Sequence, residues 1–154
     1  DLHSFPARRS SDLGLISYLQ RWIGKNEERN RVRIVFCHDT RHFSRDFAEL
    51  CAKIAADLGT EVFLFDSHRA TPVMSFAIRY MNCHAGVMIT ASHNPAHDNG
   101  YKVNFADGAA IIPPHTEGII AQVNAIAAET YQALPAAERG TVTEISSEID
   151  TQYL

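Results

Sequence analysis

The residue types best suited to chemistry are gathered in two loops. One is His38-Asp39-Thr40-Arg41-His42-Phe43-Ser44, and the other is Thr90-Ala91-Ser92-His93-Asn94-Pro95-Ala96-His97-Asp98-Asn99-Gly100-Tyr101-Lys102. The second is the richer. It sets a hydroxyl at Ser92 and is bent by Asn94-Pro95 and again by Asn99-Gly100, both turn-forming dipeptides. Lys102, ten residues after Ser92, brings an ammonium back on the returning segment, and backbone N–H groups in so tight a turn form an anion nest. Arg41 adds a planar fork suited to phosphate oxygens. These residues suit a phosphate or other anion beside Ser92, but they do not choose a reaction. A purely structural account is also open: Thr90 and Ser92 as turn hydroxyls, Asn94 and Asn99 as turn formers, and Arg41 as an exposed arginine paired with Asp39 or Asp46.

Two other chemistries are weaker. His93 and His97 have the H-x₃-H spacing that presents two metal ligands on one helix face, but Pro95 between them defeats a helix, and no cysteine pair lies nearby. A serine hydrolase lacks its G-x-S-x-G elbow here, and a histidine directly after the serine is poorly placed to act as its base. His68, His84 and His115 read as structural residues, and Cys37 and Cys83 as small core residues.

The elements that must position these loops emerge from hydrophobic period. Residues 1–10 show no clear period and read as a lead-in. From Ser11, Leu13, Ile16, Leu19 and Ile23 mark one helix face, with Ser10 or Ser11 as cap and an end near Gly24. Val32 to Cys37 reads as a buried strand. Ser44 is positioned to cap a helix carrying Phe47, Leu50, Cys51, Ile54 and Leu58 inward, closed by a left-handed Gly59. Thr60 to Phe65 is a second strand, and Thr71-Pro72 opens a helix with Val73, Phe76, Ala77 and Tyr80 inward. Gly86 to Thr90 is a third strand and Tyr101 to Phe105 a fourth. Pro113-Pro114 precedes a long helix striped by Ile119, Ile120, Val123 and Ile126, in which Gly118 is a mild weakness. Strands alternating with helices predict an α/β, three-layer βαβ domain, its sheet mixed but mostly parallel and covered by helices on both faces. In such a sheet ligands bind outside the carboxyl ends of the strands, where both loops fall. After about Leu134 the character changes: residues 138–154 read as a linker, a strand over Thr141–Ile145 and the opening of a further domain.

Composition bounds the rest. The 154 residues are 45% hydrophobic and 21% charged, enough for one core of about one domain. Fourteen Lys+Arg against 18 Asp+Glu give a formal charge of −4, which provides no basic surface for nucleic acid. No run approaches the roughly 20 apolar residues of a membrane span, so no membrane role is expected. Three cysteines without a C-x-x-C pair favour a reducing, cytoplasmic setting.

Thr90-Ala91-Ser92-His93-Asn94-Pro95, followed by Asn99-Gly100-x-Lys102, resembles the active-site serine loop of the α-D-phosphohexomutases, the family of phosphoglucomutases and phosphomannomutases. Asp39-Thr40-Arg41-x-x-Ser44 resembles that family's first substrate-side loop, and Asp107-Gly108 followed by Pro113-Pro114 a later turn. The likeness runs from about Ser11 to Leu154 and is nearest the phosphoglucomutase branch with phosphopentomutase-like members. It implies a first domain over residues 11–137 in which Ser92 carries a phosphate, gives it to a sugar phosphate and takes another back from a bisphosphate intermediate. It further implies catalytic roles for His93 and Lys102, with phosphate or substrate contacts from Arg41, Thr90, Asn94, Asn99 and Gly100. Mg²⁺ would be held through the Ser92 phosphate, with its aspartate ligands in a second domain outside these residues. A sugar bisphosphate serves as activator, and the remaining mutase domains are the expected partners, so the chain alone is expected to be inactive. The pattern is broken in three places: no Gly-Thr-Ser/Ala-Gly-Leu/Ile-Arg turn precedes Ser11, Cys37-His38 stands where Gly plus an aromatic or basic residue commonly precedes the Asp-Thr-Arg, and Ala110 stands where Gln is expected. A non-catalytic module binding a sugar phosphate or a partner protein is the alternative.

Overall fold

A computed structural model describes residues 5–26, 31–41, 43–90, 100–126 and 130–154. Five helices, α1 (Phe5–Asn26), α2 (Ser44–Asp57), α3 (Thr71–Tyr80), α4 (His115–Asn124) and α5 (Ser147–Tyr153), accompany five strands. The strands are β1 (Arg33–His38), β2 (Glu61–Phe65), β3 (Ala85–Ile89), β4 (Tyr101–Phe105) and β5 (Val142–Ile145), in the sheet order β4-β3-β1-β2-β5. β1 pairs in parallel with β2 and β3, and β2 with β5, whereas β4 returns antiparallel to β3. The sheet is therefore mixed and mostly parallel, as its alternating strand and helix signals predict.

Strand alternation divides the core in two. Ile34, Phe36, Val62, Leu64, Val87 and Ile89 face one side, under Leu15, Ile16 and Leu19 of α1 and Ala48, Cys51 and Ile54 of α2. Val35, Cys37, Phe63, Phe65 and Met88 face the other, under Met74, Ala77 and Ile78 of α3 and Ile149 of α5. Three layers result, with β1 buried on both faces, which explains why its sequence is continuously apolar rather than alternating. β4, at the edge, alternates instead.

Several expectations are corrected. The first helix begins at Phe5, inside the supposed lead-in, and runs past Gly24 to Asn26; Pro6 is tolerated because the first turn leaves its N–H sites unpaired in any case. Ser10 and Ser11 thus lie within the helix. Ser44 and Thr71 are the first helical residues of α2 and α3 rather than their caps, which are Phe43 and Ala70. Tyr80 points outward, 55% exposed and stacked on Phe76 at 5.4 Å, because α3 meets the sheet along Met74, Ala77 and Ile78. The fourth helix is ten residues long, and Ile120 is exposed because α4 packs on α1 rather than on the sheet. There Gly118 finds its reason: a Cβ would sit 3.0 Å from Tyr18 Cδ2 and closer still to Cε2. Gly59 has the expected positive φ, +95°. Within residues 138–154, β5 pairs with β2 at the edge of the sheet and Ile149 is buried in the second core.

Candidate functional site

The carboxyl ends of β1, β2 and β3 and the start of β4 converge on a cleft of about 230 Å³. It is lined by Asp39, Arg69, Thr71, Met88, Thr90 and Lys102. Sheet register explains the meeting. His38 is level with Ile89, so Asp39 and Thr90 leave adjacent strands together, and the Asp39 N–H donates to Ile89 O at 3.1 Å. Lys102 is level with Met88 on the returning strand, which turns its side chain to the cleft face. The Thr90 N–H donates to Gly100 O at 3.4 Å, joining the two ends of the intervening segment.

Of the sequence-predicted site residues, Thr90 and Lys102 line the cleft, and Gly100 is bonded to Thr90. Arg41 is not among the lining residues. Its backbone N–H donates to Asp39 Oδ1 at 3.0 Å, and among the described residues its guanidinium forms no ion pair. Ser92, His93, Asn94 and Asn99 lie outside the described residues, as do His42 and His97.

The first loop owes its shape to Asp39. Its Oδ1 accepts from the Arg41 N–H and from the buried Ser44 hydroxyl, and the Ser44 N–H donates to Arg41 O at 3.1 Å. The carboxylate is thus spent on folding the turn that carries Arg41, an arrangement in which Asp at the first turn position bonds its own backbone two residues on. His38 is buried with Nδ1 2.9 Å from Asp39 O, so that nitrogen carries the proton.

Two further participants belong to no sequence motif. Arg69 stands after β2, so the same carboxyl-end rule points to it. It donates to Asp150 from Nε and to Asp66 from Nη2, and its guanidinium lies over the Phe65 ring. Its hydrogen bond to Asp150 is the main reason its pKa is raised. Asp12 is wholly buried on α1 and accepts from the Tyr101 hydroxyl at 2.7 Å, one residue before Lys102. Burial drives its carboxyl well above the usual carboxylate range. The one sequence signal for it is an acidic residue inside an apolar helix stripe.

Other candidates are structural. His84 is buried and accepts the Arg33 N–H at 3.0 Å, while His115 bonds the Tyr18 hydroxyl at 2.6 Å and stacks on Phe105. All three cysteines are buried and outside any disulfide, and burial pushes the Cys37 thiol up to about 12, which disfavours a thiolate. Among the described residues no three His, Cys, Asp or Glu side chains come together as a metal site, and no helix is long and apolar enough to cross a membrane.

Fold and cleft together define a three-layer α/β domain whose strand ends gather an ammonium, a guanidinium and hydroxyls around one opening. Residues 13–130 match the model of the phosphoglucomutase/phosphomannomutase α/β/α domain I, and the chain belongs to that family. It is 48% identical over 91 residues to a Schizosaccharomyces pombe protein named "Probable phosphoribomutase", a match covering 59% of this chain and 16% of that one. It is 37% identical over 123 residues to a Staphylococcus epidermidis phosphoglucomutase, covering 78% of this chain and 22% of the relative. The chain therefore spans about a fifth of the length of these relatives. The fold is shared with the open form of Paramecium parafusin, a phosphoglucomutase, at a TM-score of 0.70 and 20% identity over 98% of this chain and 31% of that one.

Proposed function

We propose that this chain is the serine-bearing first domain of a sugar-phosphate mutase, with Ser92 as the phosphoryl carrier. The observation that carries the reading is the placement of Thr90 and Lys102. They bracket the segment holding Ser92 and line one cleft with Asp39. Ser92 stands two residues after Thr90, a reach of at most about 7 Å along the chain.

Phosphoryl transfer needs positioning and charge neutralisation more than covalent chemistry from the protein. In the proposed step the Ser92 Oγ–P bond breaks as a sugar hydroxyl oxygen bonds to phosphorus, and the hydroxyl proton ends on the released Ser92 Oγ, with Lys102 assisting its passage. A second transfer from the bisphosphate restores the phosphoserine. Lys102 and Arg41 supply positive charge to the phosphate oxygens, Thr90, Asn94, Asn99 and Gly100 shape the turn, and His93 meets the phosphate or the sugar. The described residues do not fit a complete Mg²⁺ site. Mg²⁺ would be held by the Ser92 phosphate together with carboxylates from outside the described residues. The substrate is a hexose or pentose phosphate, the other mutase domains are partners, and a reducing compartment such as the cytoplasm suits three cysteines outside any disulfide.

The test is conversion of glucose 1-phosphate to glucose 6-phosphate by the gene product carrying this domain. Ser92→Ala abolishes turnover, and Lys102→Ala lowers kcat by about 10²-fold. Wild-type turnover in Ser92→Ala would overturn the proposal. The 154-residue chain by itself binds phosphate weakly and turns over nothing.

A further inference from the structure

We propose that Asp12 is a positioning residue, acting through Tyr101 to hold Lys102 at the mouth of the cleft. The claim that Lys102 meets phosphate rests on the function proposed above; the positioning itself rests on the geometry of β4.

β4 lies at the sheet edge and has β3 as its single strand neighbour among the described residues. Its far half is braced on the open side: the Phe105 N–H donates to Ala109 O at 2.9 Å and the Ile111 N–H to Val103 O at 3.3 Å. Its near half, Tyr101 and Lys102, has no such backbone brace among the described residues. At that end the Thr90 N–H to Gly100 O bond is long, 3.4 Å. What holds it on the helix side is Tyr101, level with Ile89 and turned toward α1, where its hydroxyl donates to Asp12 Oδ1 at 2.7 Å. Side chains alternate along a strand, so fixing Tyr101 toward α1 fixes Lys102 toward the cleft.

The cost of the arrangement argues that it does more than fill space. Asp12 has no exposed surface, and among the described residues its Oδ2 is buried without a hydrogen-bond partner. A half-satisfied buried carboxyl is destabilising compared with an apolar side chain of similar size, so packing alone would favour leucine there.

The experiment uses the 154-residue chain, with uniform labelling for amide exchange and lysine labelling for phosphate titration. Only Lys25, Lys53 and Lys102 report in the titration, and Lys53, bound to Asp57, is the internal control. Amide exchange and the midpoint of inorganic phosphate titration at Lys102 are read for wild type, Tyr101→Phe, Asp12→Asn and Asp12→Leu. In Tyr101→Phe and Asp12→Leu, exchange at Lys102 quickens about tenfold while Val103–Phe105 is unchanged, and the phosphate midpoint at Lys102 rises by about the same factor. Asp12→Asn, whose amide oxygen still accepts the hydroxyl, stays near wild type. Should Asp12→Leu fail to fold, Tyr101→Phe carries the test alone. Wild-type exchange at Lys102 in a folded Tyr101→Phe would overturn the proposal. If phosphate does not perturb Lys102 even in wild type, the phosphate reading fails, and exchange still decides the positioning.

Discussion

Arg69, at the rim of the cleft, donates from Nε to both carboxylate oxygens of Asp150, at 2.9 and 3.2 Å, across 81 residues of sequence. The pair fastens α5 to the loop that leads from β2 into α3, and the same guanidinium reaches Asp66 Oδ1 and the His68 carbonyl. The Arg69 side chain is 15% exposed and Asp150 35%, so the bond is shielded from solvent on one side only. A double-mutant cycle on Arg69→Ala and Asp150→Ala, read by urea unfolding, gives a coupling of about 1 kcal/mol. Additivity of the two substitutions would show that α5 is held by its packing contacts, Ile149 in the core and Tyr153 on Phe76, and not by the ion pair.

Two buried or bonded carboxyls give stability opposite dependences on pH. Burial raises the folded pKa of Asp12 above its ordinary 3.8, so its contribution is complete below that value and is lost as pH rises through the raised one. Asp57 is lowered, chiefly by its hydrogen bond from Lys53 and then by that from Tyr131. Its contribution is present above 3.8 and is lost as pH falls through the lowered value. Unfolding free energy measured against pH therefore flattens on the alkaline side in Asp12→Asn and on the acid side in Asp57→Asn. The reverse assignment, or unchanged profiles, would count against both carboxyl roles.

α1 and α4 approach so closely that a Cβ at Gly14 would lie 2.8 Å from Val123 N and 2.9 Å from Val123 Cα. Backbone cannot swing aside as a side chain does. Gly14→Ala, though favourable to an isolated helix, destabilises the chain by about 1–3 kcal/mol through overpacking. The check is the urea midpoint, which should fall.

Much of the fold and part of the site are legible in the sequence, for reasons that can be named. β1 and β3 announce themselves because strands buried on both faces are continuously apolar, and β4 because an edge strand alternates. Thr90 and Lys102 stand out because ligands gather at the carboxyl ends of parallel strands, and both residues sit in segments that leave or return to those ends. The failures share a cause: period identifies an apolar stripe but not what covers it. Ile120 and Tyr80 fit their stripes and yet face outward, because α4 leans on α1 and α3 meets the sheet along a neighbouring line. Asp150 and Asp12 are invisible as partners of Arg69 and Tyr101, because pairs 81 and 89 residues apart leave no local pattern.

The mutase function proposed for the cleft turns on Ser92 carrying the phosphoryl group. Peptide mapping of the gene product that carries this domain, after incubation with isotopically labelled glucose 1,6-bisphosphate, reads that directly. One labelled phosphoryl group is expected on Ser92, released on addition of glucose 1-phosphate and absent in Ser92→Ala. Label on another residue, or turnover with no phosphoserine at Ser92, would show that a different group carries the phosphate.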